Sequence, residues 1–176
     1  RKQIAAGTDL GKRVAAVVAE GGMVPNGIMN EIIAGRIQES DCANGYIFDG
    51  YPRELGQLEG YDRTGEKLTH AILLTISEAE VMSRLSERLV CICGQSFNGR
   101  ELQIEPGAEA LCTACEGALQ RRKDDNPESI QKRIVHYHAQ TERVVDVYRQ
   151  RGILVEINGE LPIPEVHAEI LNRLGV

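Results

Sequence analysis

Tryptophan is absent from the 176 residues, and aromatic side chains make up only 4% of them. That shortage argues against a nucleic-acid partner, because such surfaces stack bases on aromatic rings. Positive charge is also short, with 20 Lys and Arg against 26 Asp and Glu and a formal net charge of -6. A basic groove along a phosphate backbone is therefore not expected, although a local basic cluster can still hold a small phosphate ligand. No apolar run approaches the ~18 to 20 residues that span a bilayer. Residues Arg1 to Gly11 also lack the basic start and apolar block of a secretory leader. These absences predict a cytoplasmic address with no membrane partner.

What is present, 42% hydrophobic and 26% charged residues, suits one globular domain with small inserts. Leu10, Val14, Val17 and Val18 fall at helical spacing before Gly21-Gly22. Pro25 and Asn26 open a second helix carrying Ile28, Met29, Ile32, Ile33 and Ile37. Gly45 to Gly50 reads as a short buried strand ending in a tight turn, and His70 to Ile76 as a strand apolar on both faces. A helix comes next, with Val81, Leu85 and Leu89 on one face. Beyond it lie an irregular insert from Val90 to Leu119, one long helix from Pro127 to about Gln150, a strand Ile153 to Ile157 and a last helix Pro164 to Leu174. Strands alternating with helices predict an α/β fold around a parallel sheet.

Three groups of residues carry chemistry. Asp49-Gly-Tyr-Pro-Arg53 closes the first expected strand, where open α/β sheets bind ligands; the same residues also suit a plain surface turn. Arg121-Arg-Lys-Asp-Asp125, with Glu128 and Arg133 beyond, suits either a solvated face or a hinge whose arginines swing onto phosphates. Arg84 and Arg88, four apart, would share a helix face and join them. Cys91-Ile-Cys93 and Cys112-Thr-Ala-Cys115 form two close pairs, and four thiolates satisfy a tetrahedral zinc with no position left for chemistry. Two inert cysteine pairs remain the alternative, because the first pair has one intervening residue where zinc turns usually have two. Cys42 stands apart as a core thiol.

In this order, the segments Asp41 to Arg53 and Arg122 to Arg133, with Arg84, Arg88 and the cysteine insert between them, resemble the adenylate kinase family in its long-lid, zinc-binding form. The resemblance implies a P-loop-type nucleoside monophosphate kinase fold with a zinc-ribbon-like lid, and reversible phosphoryl transfer, ATP + AMP = 2 ADP. It implies AMP contacts at Arg1, Met23, Val24, Gly50, Arg53 and Gln57, and magnesium orientation by Asp49. Toward ATP it implies Arg84 stacked on the base, Leu161 facing it, and Arg88, Arg122 and Arg133 closing over the transferred group. Asp124 and Asp125 fall at the lid hinge. Residues 1–24 would belong to the AMP-binding domain, 25–86 and 126–176 to the core and 87–125 to the lid. Zn2+ in the lid, Mg2+ with ATP and a monomeric state are implied by the same likeness. A UMP or CMP kinase is the neighbouring alternative, and Gln57 tilts the choice toward AMP.

The sequence departs from that family at its start. Gly-x-x-x-x-Gly-Lys-Ser/Thr is absent; Gly7 to Lys12 ends in Gly-Lys, but Arg13 follows where a hydroxyl should ligate magnesium. With Arg1 in place of an initiating methionine, the expectation is a fold incomplete at the N-terminus and a chain that alone turns over little, or a nucleotide-binding protein without transfer activity. Four converging arginines would also repel one another in an empty closed site, which predicts an open lid at rest.

Overall fold

The computed structural model describes residues 2–19, 24–99, 102, 110–122 and 124–176. Arg1 and Met23, two of the expected AMP contacts, and Lys123 lie outside the described residues. The elements run α1 (Lys2–Ala5), α2 (Asp9–Ala19), α3 (Asn26–Ile37), α4 (Leu55–Asp62), β1 (Ala71–Thr75), α5 (Glu78–Glu87), β2 (Arg88–Val90), β3 (Ser96–Asn98), β4 (Gln120–Arg121), α6 (Pro127–His136), α7 (Glu142–Gln150), β5 (Leu154–Asn158) and α8 (Ile163–Leu174). They divide into two compact bodies. One holds the chain up to Ala71 with His138–Leu154, the other Ile72–Tyr137 with Val155–Val176.

In the first body α3 lies against α4 through a small-residue seam. Asn26 and Asn30 meet Gly56 and Gly60, each pair four apart and so on one helix face. A Cβ on Gly60 would lie 1.8 Å from Asn30 Nδ2, and one on Gly56 2.8 Å from Asn26 Nδ2, so the glycines make the approach possible. Leu58 of α4 packs with Val144 and Tyr148, one turn apart on α7, to form the core. Tyr61 is 2% exposed, and its hydroxyl lies 2.7 Å from that of Tyr46.

The expected strand at Gly45 to Gly50 does not form. The chain there pairs with no strand among the described residues, and Ile47 is 96% exposed. The alternation that suggested a strand survives: Tyr46 and Phe48 turn inward, with Phe48 edge-on to Tyr61 at 5.4 Å. A strand exists only through its ladder. With no neighbour alongside, the outward side chain has nothing to pack against.

In the second body β1 and β5 pair. Contacts advance together in both, from Ala71 N–H to Ile153 O in the first body to Thr75 Oγ1 with Ile157 O in the second, so the strands run parallel as expected. The double-faced reading of β1 is half met, because Ile72 and Leu74 stay 43% and 49% exposed. The sequence also placed Arg88 and Leu89 on a helix with Arg84 and Leu85. Instead α5 stops at Glu87 and Arg88 turns extended (φ -64, ψ 129), because β2 pairs antiparallel with both β3 and β4 and that ladder claims both residues. The expected single helix from Pro127 is interrupted by a π-helical turn at Tyr137–Thr141. A π turn absorbs an extra residue and resets the phase of the helix beyond it.

Candidate functional site

In the first body the Asp49-to-Arg53 segment becomes a loop held at several points. Arg53 donates its backbone N–H to Gln57 Oε1 (2.8 Å) and its Nε to the Gly50 carbonyl (2.7 Å). Gln57 Nε2 donates to Asn26 Oδ1 at 3.1 Å, and Tyr51 donates its hydroxyl to Asn30 Oδ1 at 2.9 Å. Thr141, at the end of the π turn, donates to the Arg53 carbonyl at 3.0 Å. Gly50, Arg53 and Gln57 are thus brought together, with both Nη atoms of Arg53 on an exposed side chain. Gly50 has φ +67, a conformation that favours glycine. Asp49 is exposed in the adjacent bend and Val24 half-buried before α3. Sequence reasoning gave no bracing role to Asn26, Asn30, Tyr51 or Thr141. The four-residue spacing of Asn26 and Asn30 opposite that of Gly56 and Gly60 was the available signal.

The second body contains a cleft of about 780 Å³ lined by Arg84, Arg88, Phe97, Glu160, Leu161 and Ile163 among others. This volume is within the range of small-molecule sites. Arg84 is fixed on all sides of its edge: Nε to Glu80 Oε1 (2.6 Å), Nη1 to the Gly159 carbonyl (2.8 Å) and Nη2 to the Glu160 carbonyl (3.4 Å). Edge-on bonds set the plane of a guanidinium and leave its faces for stacking. Although Arg88 is on a strand, it still reaches the same cleft. Glu80, Phe97 and Glu160 were not foreseen, since nothing in their spacing separates them from surface residues.

Beside the cleft, three arginines share two carboxylates. Arg88 grips Asp125 through Nε (2.8 Å) and Nη2 (2.7 Å); Arg122 grips Asp124 at 3.0 and 2.7 Å; Arg133 bonds to both aspartates. Arg88 and Arg122 each hold one carboxyl below its usual range by hydrogen bonding and charge. The mutual repulsion expected of these arginines is partly offset by the acidic pair, since two carboxylates face three guanidinium groups.

The four clustered cysteines meet at the end of the β2–β3 hairpin. Their sulfurs all lie within 4.8 Å of one another, with Cys91 to Cys115 at 3.4 Å and Cys93 to Cys112 at 3.6 Å. Sulfurs about 2.3 Å from a tetrahedral zinc sit about 3.8 Å apart, so the set fits that ion. The one-residue spacing of the first pair closes through a tight turn at Gly94 (φ +95), with Gly94 N–H on the Cys91 carbonyl at 2.9 Å. Gly117 is needed alongside, since a Cβ there would lie 3.2 Å from Cys91 Sγ. The Gly117 N–H favours the Cys115 thiolate, but the neighbouring thiols outweigh it and push Cys115 up to about 12. A dication in their midst would reverse that balance.

The chain is similar to known proteins along its length. The family described as adenylate kinase matches residues 1–153. An adenylate kinase of Caldicellulosiruptor bescii is 34% identical over all of this chain and 83% of its own length. One from Lachnospira eligens is 34% identical over 99% of this chain and 84% of its own. One from Thermotoga maritima is 36% identical over 95% of this chain and 77% of its own. With a parallel α/β sheet, clustered arginines and a family match over most of its length, the chain belongs to the adenylate kinase family.

Proposed function

We propose that this protein transfers a phosphoryl group reversibly between ATP and AMP, forming two ADP. The observation that carries this reading is the cleft of about 780 Å³ at which Arg84, Arg88 and Leu161 meet, with Arg84 braced for stacking. ATP enters there with its base on Arg84 and against Leu161. Arg88, Arg122 and Arg133 exchange carboxylate partners for phosphate oxygens, and planar donors suit the charge that spreads over those oxygens in transfer. AMP lies with its phosphate on Arg1 and Arg53, its base edge on Gln57, and Val24, Gly50 and Met23 beside it.

Residues 87–125 act as the lid, hinged at Asp124 and Asp125, between core segments 25–86 and 126–176, with residues 1–24 in the AMP-binding domain. Cys91, Cys93, Cys112 and Cys115 hold a structural Zn2+. Mg2+ accompanies ATP, oriented by Asp49, and neutralises phosphate charge. The protein works as a cytoplasmic monomer, and among the described residues no helix is long and apolar enough to cross a membrane.

The absence of Gly-x-x-x-x-Gly-Lys-Ser/Thr from these 176 residues favours a second reading of the chain by itself. Without a nest of backbone N–H groups for the β- and γ-phosphates, the 176 residues alone bind nucleotide and turn over little. A comparison of AMP, UMP and CMP as phosphoryl acceptors from ATP tests the substrate. AMP should be preferred, and equal or better use of UMP or CMP contradicts the assignment of Gln57.

A further inference from the structure

Glu160 lines the cleft of the second body. Glu160, in the turn between β5 and α8, accepts the backbone N–H of Ser77 on its Oε1 at 2.8 Å. Ser77 is the N-cap of α5, and its hydroxyl accepts the Glu80 N–H at 3.4 Å. Glu80, one turn along, holds Arg84 Nε at 2.6 Å. Arg84 returns to the turn through the carbonyls of Gly159 and Glu160 at 2.8 and 3.4 Å. The circuit is closed: Glu160 to Ser77, Ser77 to Glu80, Glu80 to Arg84, and Arg84 back to Glu160.

The turn is held from its other side as well. Gly159 N–H donates to the Thr75 carbonyl at 2.8 Å, and Glu160 N–H donates to Asn158 Oδ1 at 3.0 Å. A Cβ on Gly159 would lie 3.2 Å from both Leu74 Cβ and the Thr75 carbonyl oxygen, so this segment sits tightly on β1. An anionic side chain at the start of α5 also meets the positive end of the helix. Hydrogen bonding by the Ser77 side chain, and then by its backbone N–H, keeps the Glu160 carboxyl below its usual range.

We propose that Glu160 is a positioning residue for the donor nucleotide. Its carboxylate ties the turn at 158–161 to the N-terminus of α5. The tie keeps two carbonyls on Arg84 and so fixes the plane against which the base of ATP stacks, with Leu161 next in sequence. The inference rests on the ATP site proposed above. Glu160 itself need not touch the nucleotide, so its loss should weaken ATP while leaving AMP alone.

Calorimetric titration of this protein with ATP and, separately, with AMP tests the proposal. Glu160→Ala should raise the ATP dissociation constant about tenfold, the weight of one lost hydrogen bond to an ionised group. Glu160→Gln, which keeps an accepting oxygen, should recover most of that loss. Ser77→Pro removes the N–H where φ is already -69, close to the proline value, and should match Glu160→Ala without adding to it in the double variant. Ser77→Ala keeps the N–H but loses the hydroxyl that caps α5, and should weaken ATP binding less than Ser77→Pro does. ATP affinity unchanged in Glu160→Ala while Arg84→Ala weakens it would overturn the positioning role alone. No effect of Arg84→Ala would overturn the donor site, and the role of Glu160 with it. Parallel loss of ATP and AMP binding in Glu160→Ala would show a general fold defect and also overturn the proposal.

Discussion

Arg88 and Asp125 face each other through two parallel hydrogen bonds, at 2.8 and 2.7 Å, and the Asp125 side chain is only 2% exposed. Removing one partner of such a pair strands the other, so Asp125→Asn should cost about 3 kcal/mol of stability at neutral pH. The pH dependence has a definite sign. Arg88 depresses the folded pKa of Asp125, so the stabilisation is complete above the ordinary carboxylate pKa of about 4 and is lost as pH falls through the lower folded value. Urea melts from pH 7 to pH 2 should show the wild type and Asp125→Asn converging in acid. A constant gap would contradict this.

The cysteine cluster predicts one zinc per chain, bound through four thiolates. Metal analysis of protein prepared without chelator should give a ratio near one, and Cys112→Ser, at a position 1% exposed, should abolish it. Chelation should lower the melting temperature and expose all four thiols to a thiol reagent together. Four thiols that react freely before chelation would contradict a bound metal.

Gly60 predicts an inversion of the usual helix rule. Alanine in place of a helical glycine normally stabilises by about 0.5 to 1 kcal/mol. Here the new Cβ would land on the Asn30 amide, which donates to the Gly56 carbonyl and accepts from Tyr51. Displacing that amide breaks both bonds, and Gly60→Ala should destabilise by about 1 to 2 kcal/mol. Chemical denaturation checks this, and adding Asn30→Ala should return part of the loss.

Arg53→Ala should weaken AMP binding by about 2 to 4 kcal/mol through loss of a bidentate phosphate contact. ATP binding at the cleft of the other body should not change. Titration with each nucleotide separates the two effects, and unchanged AMP affinity would remove Arg53 from the site.

Much of the helical frame was legible because its signals are local. Pro25 and Asn26 open α3, Pro127 opens α6, and the apolar spacing of α2 is helical. The cysteine pairs were legible for the same reason. What the sequence hid is decided by partners distant along the chain. Gly45 to Gly50 has a strand pattern but no ladder, and Leu89 has helical spacing but pairs with Phe97 and Arg121 across a sheet. Glu160 and Thr141 reach Ser77 and Arg53 over separations of 83 and 88 residues, which no local pattern encodes.

Phosphoryl transfer from ATP to AMP is read by a coupled assay of ADP formation with magnesium. The 176-residue chain should be compared with the same chain joined to an upstream strand, a Gly-x-x-x-x-Gly-Lys-Ser/Thr loop and a helix. The expected result is ADP formation by the joined protein, falling sharply in its Arg88→Ala variant, and little by the chain alone. No ADP from either protein, with both folded and zinc bound, would contradict the account.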